Sequence, residues 1–228
     1  MIRLHVTVEG RTEEAFVNRT LRPYLANFGV YAAVRCVMTG RKGGMGFRGG
    51  MSSYAKAKND IFRWLKEDRN ANVFFTTMFD YYALPNDFPG YAEAEKLQDP
   101  YDKVTAIESS FDEDVADRRF VPYIQLHEFE ALLFVRPGKF EIEYFDNPEG
   151  ISKLQAIADK FSNPELINQG STTSPSKRII GVYPDYKERK ADVGAMVAHE
   201  IGIDDMKKTC SRFNAWLTRL EQLAKFNS

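Results

Sequence analysis

The sequence predicts an α/β fold, a mostly parallel sheet with flanking helices, followed by a mainly helical C-terminal part. Three observations carry that reading. Strand-like and helix-like hydrophobic periods alternate over residues 1–136. The first strand pattern ends on a carboxylate, then a glycine, then a helix start. Residues 137–228 lose the strand pattern and close on a helical 4-3-4-3 spacing. Alternating βα units imply parallel strands joined by right-handed crossovers, so the chain divides into an α/β part, 1–136, and a helical part, 137–228, packed on it.

The elements follow in order. Leu4, Val6 and Val8 alternate as a strand that ends at Glu9. Gly10 makes the turn, Thr12 is placed to cap the next helix, and Glu13 and Glu14 favour that helix's dipole. Val17, Leu21, Tyr24, Leu25 and Phe28 recur at helical spacing until Gly29 stops them. A second strand covers Tyr31 to Met38, and Thr39 closes it before a glycine-rich stretch from Gly40 to Gly50. Ser52 or Ser53 caps a helix carrying Tyr54, Ala57, Ile61, Trp64 and Leu65. Val73 to Phe79 is a β-rich run ending at Asp80. The long acidic segment that follows is a helix broken at Pro100, and Phe120 to Leu126 is a fourth strand leading into His127, Glu128, Phe129 and Glu130. Beyond it, Pro137-Gly138 and the Pro148/Gly150 pair punctuate the chain, and a polar loop from Ser171 to Ser176 leads to Lys177 and Arg178. Met206, Cys210, Phe213, Leu217 and Leu220 share one face of the last helix, which makes Cys210 a core residue.

Composition narrows the class. The 228 residues are 43% hydrophobic with a mean hydropathy of -0.42, and no apolar run reaches the roughly 18 residues a membrane helix needs. Two distant cysteines without a CxxC pair fit a reducing, cytoplasmic setting better than a disulfide framework. The net charge of -1 conceals a sorted distribution. From Tyr31 to Lys58 there is no acid, whereas Asp80 to Asp117 holds eleven acids against Lys96 and Lys103. A basic surface beside an acidic one suits a metal-dependent enzyme acting on phosphates, and equally suits two solvated faces of opposite sign.

In parallel βα units the strand-to-helix loops share one edge of the sheet, where open α/β sheets place their ligands. Glu9, the glycine-rich loop, Asp80 and the His127–Glu130 group should therefore converge. The loop, with Arg41, Lys42 and Arg48, lacks the G-x-x-x-x-G-K-[ST] register of a P-loop. It reads as a basic loop for a polyanion backbone, with a merely flexible connector as the alternative.

The ordered set Val8-Glu9-Gly10-Arg11-Thr12-Glu13-Glu14, Asp80-Tyr81-Tyr82, His127-Glu128-Phe129-Glu130-Ala131-Leu132-Leu133-Phe134 and Ser174-Pro175-Ser176-Lys177-Arg178 resembles a bacterial family of Toprim-like proteins. That family is related to the Toprim domain of the overcoming-lysogenization-defect nucleases and is often encoded beside an ATPase. The resemblance implies a Toprim-like domain and a metal-dependent phosphodiesterase (nuclease) acting on DNA or RNA, with the effector of an ATPase-linked phage-defence system as its setting. It implies Mg2+ or Mn2+ as cofactor, held by Glu9 and Asp80 with help from Asp87, Glu128 or Glu130. Only one of Glu128 and Glu130 should reach the metal, and Glu128 is the first choice, because a spacing of two separates them on a helix. His127 and Lys177 join Glu9 and Asp80 as catalytic candidates, and Arg178 and Lys187 join the loop as nucleic-acid contacts; Lys177 and Arg178, with Lys187 and Lys190 beyond, are also candidate transition-state cations for phosphoryl transfer, with a surface basic cluster as the alternative. Nucleic acid, an ATPase and a second copy of the chain are the expected partners, with no membrane. One departure stands out: Toprim strands typically end Asp-x-Asp, and here the second acid is Tyr82. The competing reading is therefore a non-catalytic nucleic-acid-binding or regulatory subunit of an ATPase complex.

Overall fold

The computed structural model describes residues 1–42, 45–48, 51, 53–168 and 173–225. Strand β1 (Ile2–Val8) buries Ile2, Leu4, Val6 and Val8 on one face of the sheet. The helix after it runs as α1 (Arg11–Phe16), a π turn (Val17–Leu21) and α2 (Arg22–Ala26), and Gly29, at φ +72, turns the chain back into β2 (Val30–Cys36). The N-cap of α1 is Gly10 rather than Thr12, because Glu13 folds back and its carboxylate accepts the Gly10 N–H at 2.9 Å.

The expected glycine-rich loop contains a hairpin, β3 (Met38–Lys42) against β4 (Met45–Arg48), antiparallel with Arg41 opposite Gly46. Gly43, Gly44, Gly49, Gly50 and Ser52 lie outside the described residues. Helix α3 (Tyr54–Glu67) starts where Asp87 accepts the Tyr54 N–H at 3.0 Å, with no capping bond from the Ser53 side chain. Strand β5 (Val73–Asp80) ends at Asp80 as the sequence predicts. Then come α4 (Tyr91–Ala94) and α5 (Pro100–Val115), which has Pro100 in its first turn and Asp99 accepting the N–H groups of Tyr101 and Asp102.

The fourth strand is split into β6 (Phe120–Val121) and β7 (Ile124–Gln125), both paired in parallel with β5. Pro122 has no N–H to give to a ladder. Threonine side chains fill the gap. Thr76 donates its hydroxyl to Val121 O at 2.6 Å, and Thr77 both donates to Tyr123 O at 2.9 Å and accepts from Tyr123 N at 3.0 Å. The resulting five-stranded parallel sheet has the order β2-β1-β5-β6, with β7 continuing beside β5.

The C-terminal part adds α6 (Glu141–Tyr144), α7 (Pro148–Ala158), α8 (Pro175–Val182), α9 (Tyr186–Arg189), a π turn (Lys190–Gly194), α10 (Ala195–Ile201), α11 (Ile203–Thr209) and α12 (Ser211–Gln222). One core joins β1, the helix after it and these C-terminal helices. The other joins β5, α3 and α5 on the opposite face. Met206, Cys210, Phe213, Leu217 and Leu220 are all buried, but the single expected helix breaks at Cys210. The fully buried Glu165 accepts the N–H groups of Arg212 and Phe213 at 3.1 and 3.0 Å, so α12 begins afresh on a tertiary cap. Cys36 and Cys210 are both buried and are not joined in a disulfide.

Candidate functional site

The carboxyl ends of β1 and β5 lie side by side, with Val8 opposite Met78 in the register. Glu9 and Asp80, the next acids along each strand, therefore meet at one edge of the sheet. Asp80 is fixed by accepting the Phe129 N–H at 2.9 Å, which ties β5 to the 3-10 helix Phe129–Val135. That helix carries Glu130, only 4% exposed, into the same region. Glu13 arrives from the first turn of α1, 6% exposed, with one oxygen spent on the Gly10 N–H. Glu128 stands at the start of the 3-10 helix and accepts the Ser176 N–H at 2.7 Å, at the first turn of α8.

Four of these acids, Glu9, Glu13, Asp80 and Glu130, hold their protons more tightly than a free carboxylate. Burial, then the Glu13 carboxylate and the acids at 130 and 128, raise Glu9 to about 8, while the Asp80 backbone N–H partly offsets this. Burial and Glu130 raise Glu13 to about 7, opposed by its backbone hydrogen bonds and by Lys190. Asp80 is raised well above the usual carboxylate range by burial and then by Glu13, Glu9, Glu130 and Glu128. Glu130 is raised mainly by burial, against the pull of Lys190. The Oε2 atom of Glu9 is buried without a hydrogen-bond partner. Lys190, whose Nζ lies 3.3 Å from Glu130, is the cation that these acids feel most directly. It is held there by the π turn that it opens. At Gly194 a Cβ would come within 2.8 Å of the Tyr186 hydroxyl, so the missing side chain lets the turn close on Tyr186 beside α1.

The structure thus brings Glu9, Asp80, Glu128 and Glu130 together and leaves other candidates elsewhere. Asp87 is used at the start of α3. Lys177 is exposed on α8, one residue past the Ser176 N–H that Glu128 accepts. Arg178 is spent locally, donating to Thr173 O at 2.7 Å and lying over the Phe161 ring. Lys187 is exposed beside Glu188. The backbones of Arg41, Lys42 and Arg48 follow β2 in the hairpin, and Val37 donates to Val8 O at 2.9 Å, so the hairpin leaves from the same edge as Glu9. The acid-rich segment disperses: Asp114 serves Tyr54 and Lys58, Asp117 serves Arg119, Glu108 serves Arg212, and Asp80 alone of these joins the cluster.

His127 borders the site in a strained setting. It is 5% exposed, has φ +65, gives its carbonyl to the Tyr82 N–H at 3.1 Å and faces the Tyr82 ring at 5.0 Å. Burial lowers its pKa to about 4, so at neutral pH the ring is neutral. Its Nδ1 is buried without a partner.

Two opposing titrations follow. Glu9 and Glu13 bind protons more tightly when folded, so they lower stability as pH rises from about 4.5 to about 8. His127 binds its proton less tightly when folded, so it lowers stability as pH falls below 6.5. Between pH 6.5 and 8 the carboxylates act without the histidine. In EDTA the melting temperature should fall across that window by at least about 2–4 °C, the shift that ~1 kcal/mol gives in a chain of this size. Scanning fluorimetry that finds no slope there, or finds the same slope in Glu9→Gln, would remove the electrostatic account of the cluster.

The family model described as "Domain of unknown function (DUF4276)" matches residues 8–221. The chain belongs to this family. The DUF4276 match runs from the end of β1 to the end of α12 and so contains every acid of the cluster and Lys190. Among solved structures, the DUF4276 chain is similar to the C-terminal region of the Burkholderia pseudomallei OLD protein, at 14% identity and a TM-score of 0.45, covering 97% of this chain and 98% of that one. It is also similar to the C-terminal region of the Xanthomonas campestris pv. campestris OLD protein phased with mercury, at 13% identity and a TM-score of 0.46, covering 100% and 99%. No curated protein matches the sequence significantly.

One member of the candidate site, Glu13, escapes a reading of the sequence, and another, Lys190, is not singled out by it. Glu13 looks like a dipole residue, although a glutamate three positions after the Gly10 cap is the spacing at which a side chain folds back over the helix start. The sequence offers Lys190 only as one of four candidate phosphoryl-transfer cations, with Lys177, Arg178 and Lys187, and a π turn from the far half of the chain is what brings it to the acids. Among the described residues no three His, Cys, Asp or Glu side chains close into a ready metal cage, and no helix is long and apolar enough to cross a membrane.

Proposed function

We propose that this protein is a Toprim-like phosphodiesterase that uses Mg2+ or Mn2+ to cut DNA or RNA. The observation that carries the reading is the buried, unpartnered Glu9 Oε2 among acids at positions 13, 80, 128 and 130, with Lys190 beside them. So many carboxylates at one sheet edge cost stability unless a cation joins them. The donor set fits a hard divalent ion: it is all oxygen, it holds no cysteine, and magnesium binds through one or two carboxylates while keeping waters and substrate phosphate. When bound, such an ion lowers the pKa of water and offsets charge on the leaving oxygen.

The chain's own residues divide the remaining work. Glu9 and Asp80 would hold the ion, with Asp80 positioned by the Phe129 N–H. Lys190 would meet the charge that builds on the phosphoryl oxygens, and Glu130 would orient Lys190 through their 3.3 Å pair. The first test is direct. Purified protein with manganese should shorten a labelled DNA or RNA strand, alone or with an ATPase partner.

A second reading has one observation in its favour. With Tyr82 in place of a second strand-end acid and no closed ligand cage among the described residues, the site suits a binding or regulatory subunit of an ATPase complex. Strand binding without any manganese-dependent cutting would select it. In either case Arg41, Lys42 and Arg48 are proposed to meet the phosphate backbone from the hairpin at the same edge. Changing all three to Ala should weaken binding alike on all sequences and flatten its salt dependence by up to about 0.9 in log-log slope for each duplex phosphate no longer neutralised. An unchanged slope in a salt titration would move backbone binding to Lys177 and Lys187.

A further inference from the structure

Tyr82 stands two residues after Asp80, where the resemblance leads one to expect an acid, and the structure gives it a position of its own. Seven large hydrophobic side chains are 37% or more exposed among the described residues, and Tyr82, at 39%, is the one two residues from Asp80 and against the His127 ring. Its ring lies 5.0 Å from the His127 ring at 35° and 5.8 Å from the Tyr81 ring, which is in turn 6.1 Å from Tyr91. The backbone holds this arrangement rigid. Tyr82 donates its N–H to His127 O, His127 is locked in a left-handed conformation, and Tyr81 is fixed by its hydroxyl on Glu95. The His127 ring behind Tyr82 is itself only 5% exposed.

We infer that Tyr82, backed by His127, is a stacking shelf for one unpaired base, and that the ligand of this site is a single-stranded nucleic acid. The inference rests on the proposed role of the acid cluster for its setting, since it places the base beside the phosphate that the acids would approach. An exposed flat ring with a rigid support offers a π face to any base, whereas a base inside a duplex has none free.

Binding and cutting are measured separately. Fluorescence anisotropy in EDTA compares a labelled single-stranded DNA, the RNA of the same sequence and the DNA duplex, on wild type, Tyr82→Ala and Tyr82→Phe. The expected result is tighter binding of a single strand than of duplex, a loss of about 10-fold or more on that strand in Tyr82→Ala, and retention in Tyr82→Phe. Whether DNA or RNA responds identifies the polymer. Equal single-strand affinity in wild type and Tyr82→Ala, with both melting alike, overturns the shelf even if manganese-dependent cutting persists. Tyr82-dependent strand binding without any cutting upholds the shelf and refutes the enzyme.

Discussion

Glu9→Gln is expected to abolish metal-dependent cutting while making the metal-free protein more stable. The substitution keeps the shape of the side chain and removes one charge from a group of acids that already hold protons at abnormally high pH. At pH 8, where Glu9 is about half ionised in the folded protein, deleting its charge relieves repulsion from Glu13, Glu130 and Glu128. Its melting temperature in EDTA should therefore rise relative to wild type. Activity should move the other way, by on the order of 10³-fold, because an amide is a poor ligand for a hard dication and the ion's charge would be lost from the transition state. Isothermal titration should show the matching loss of Mg2+ and Mn2+ affinity. A variant that cuts as well as wild type would take Glu9 out of the chemistry, and one that melts lower in EDTA would refute the repulsion.

Lys190→Met should separate charge stabilisation from ion holding. Methionine retains much of the apolar stem but leaves Glu130, almost fully buried, without its cation. Breaking a buried pair leaves an uncompensated charge, here worth roughly 2–3 kcal/mol because Lys190 itself is one-third exposed. The metal-free variant should melt lower at pH 8, and the deficit should shrink as pH falls and Glu130 takes up a proton. Turnover should drop by about 10²- to 10³-fold, the usual loss on removing a group that meets developing charge. Divalent affinity should hold or rise, since the remaining field is more negative. A kinetic analysis in which the metal requirement weakens as much as turnover falls would instead make Lys190 a support for the binding site.

The sheet and the edge where its acids meet were legible in the sequence because parallel strands announce themselves locally. Leu4, Val6 and Val8 alternate, the β5 run is rich in β-forming residues, and each is stopped by an acid, Glu9 or Asp80, that a buried strand would not otherwise tolerate. Once the strands are known to be parallel, the meeting of those two acids follows from topology alone. The break at Pro100 and the burial of Cys210 and Phe213 were legible for the same local reasons.

What stayed hidden depended on partners distant in sequence. Pro122 divides the fourth strand, yet the sheet continues because Thr76 and Thr77 on β5 offer hydroxyls that no propensity reveals. The last helix divides at Cys210 because Glu165, 46 residues earlier than Ser211, accepts the first N–H groups of the new one. Asp87 looked like a metal ligand and is a helix cap, whereas Glu13 looked like a helix residue and belongs to the acid cluster. A carboxylate offers the same oxygens to a backbone N–H, a lysine or a metal, and its sequence neighbours do not say which lies within hydrogen-bonding reach. By itself the sequence determined where the acids could gather, because strand direction is a local property. Which acids gather there, and that Lys190 stands among them, was decided by tertiary packing, which sets the distances on which electrostatic energy depends.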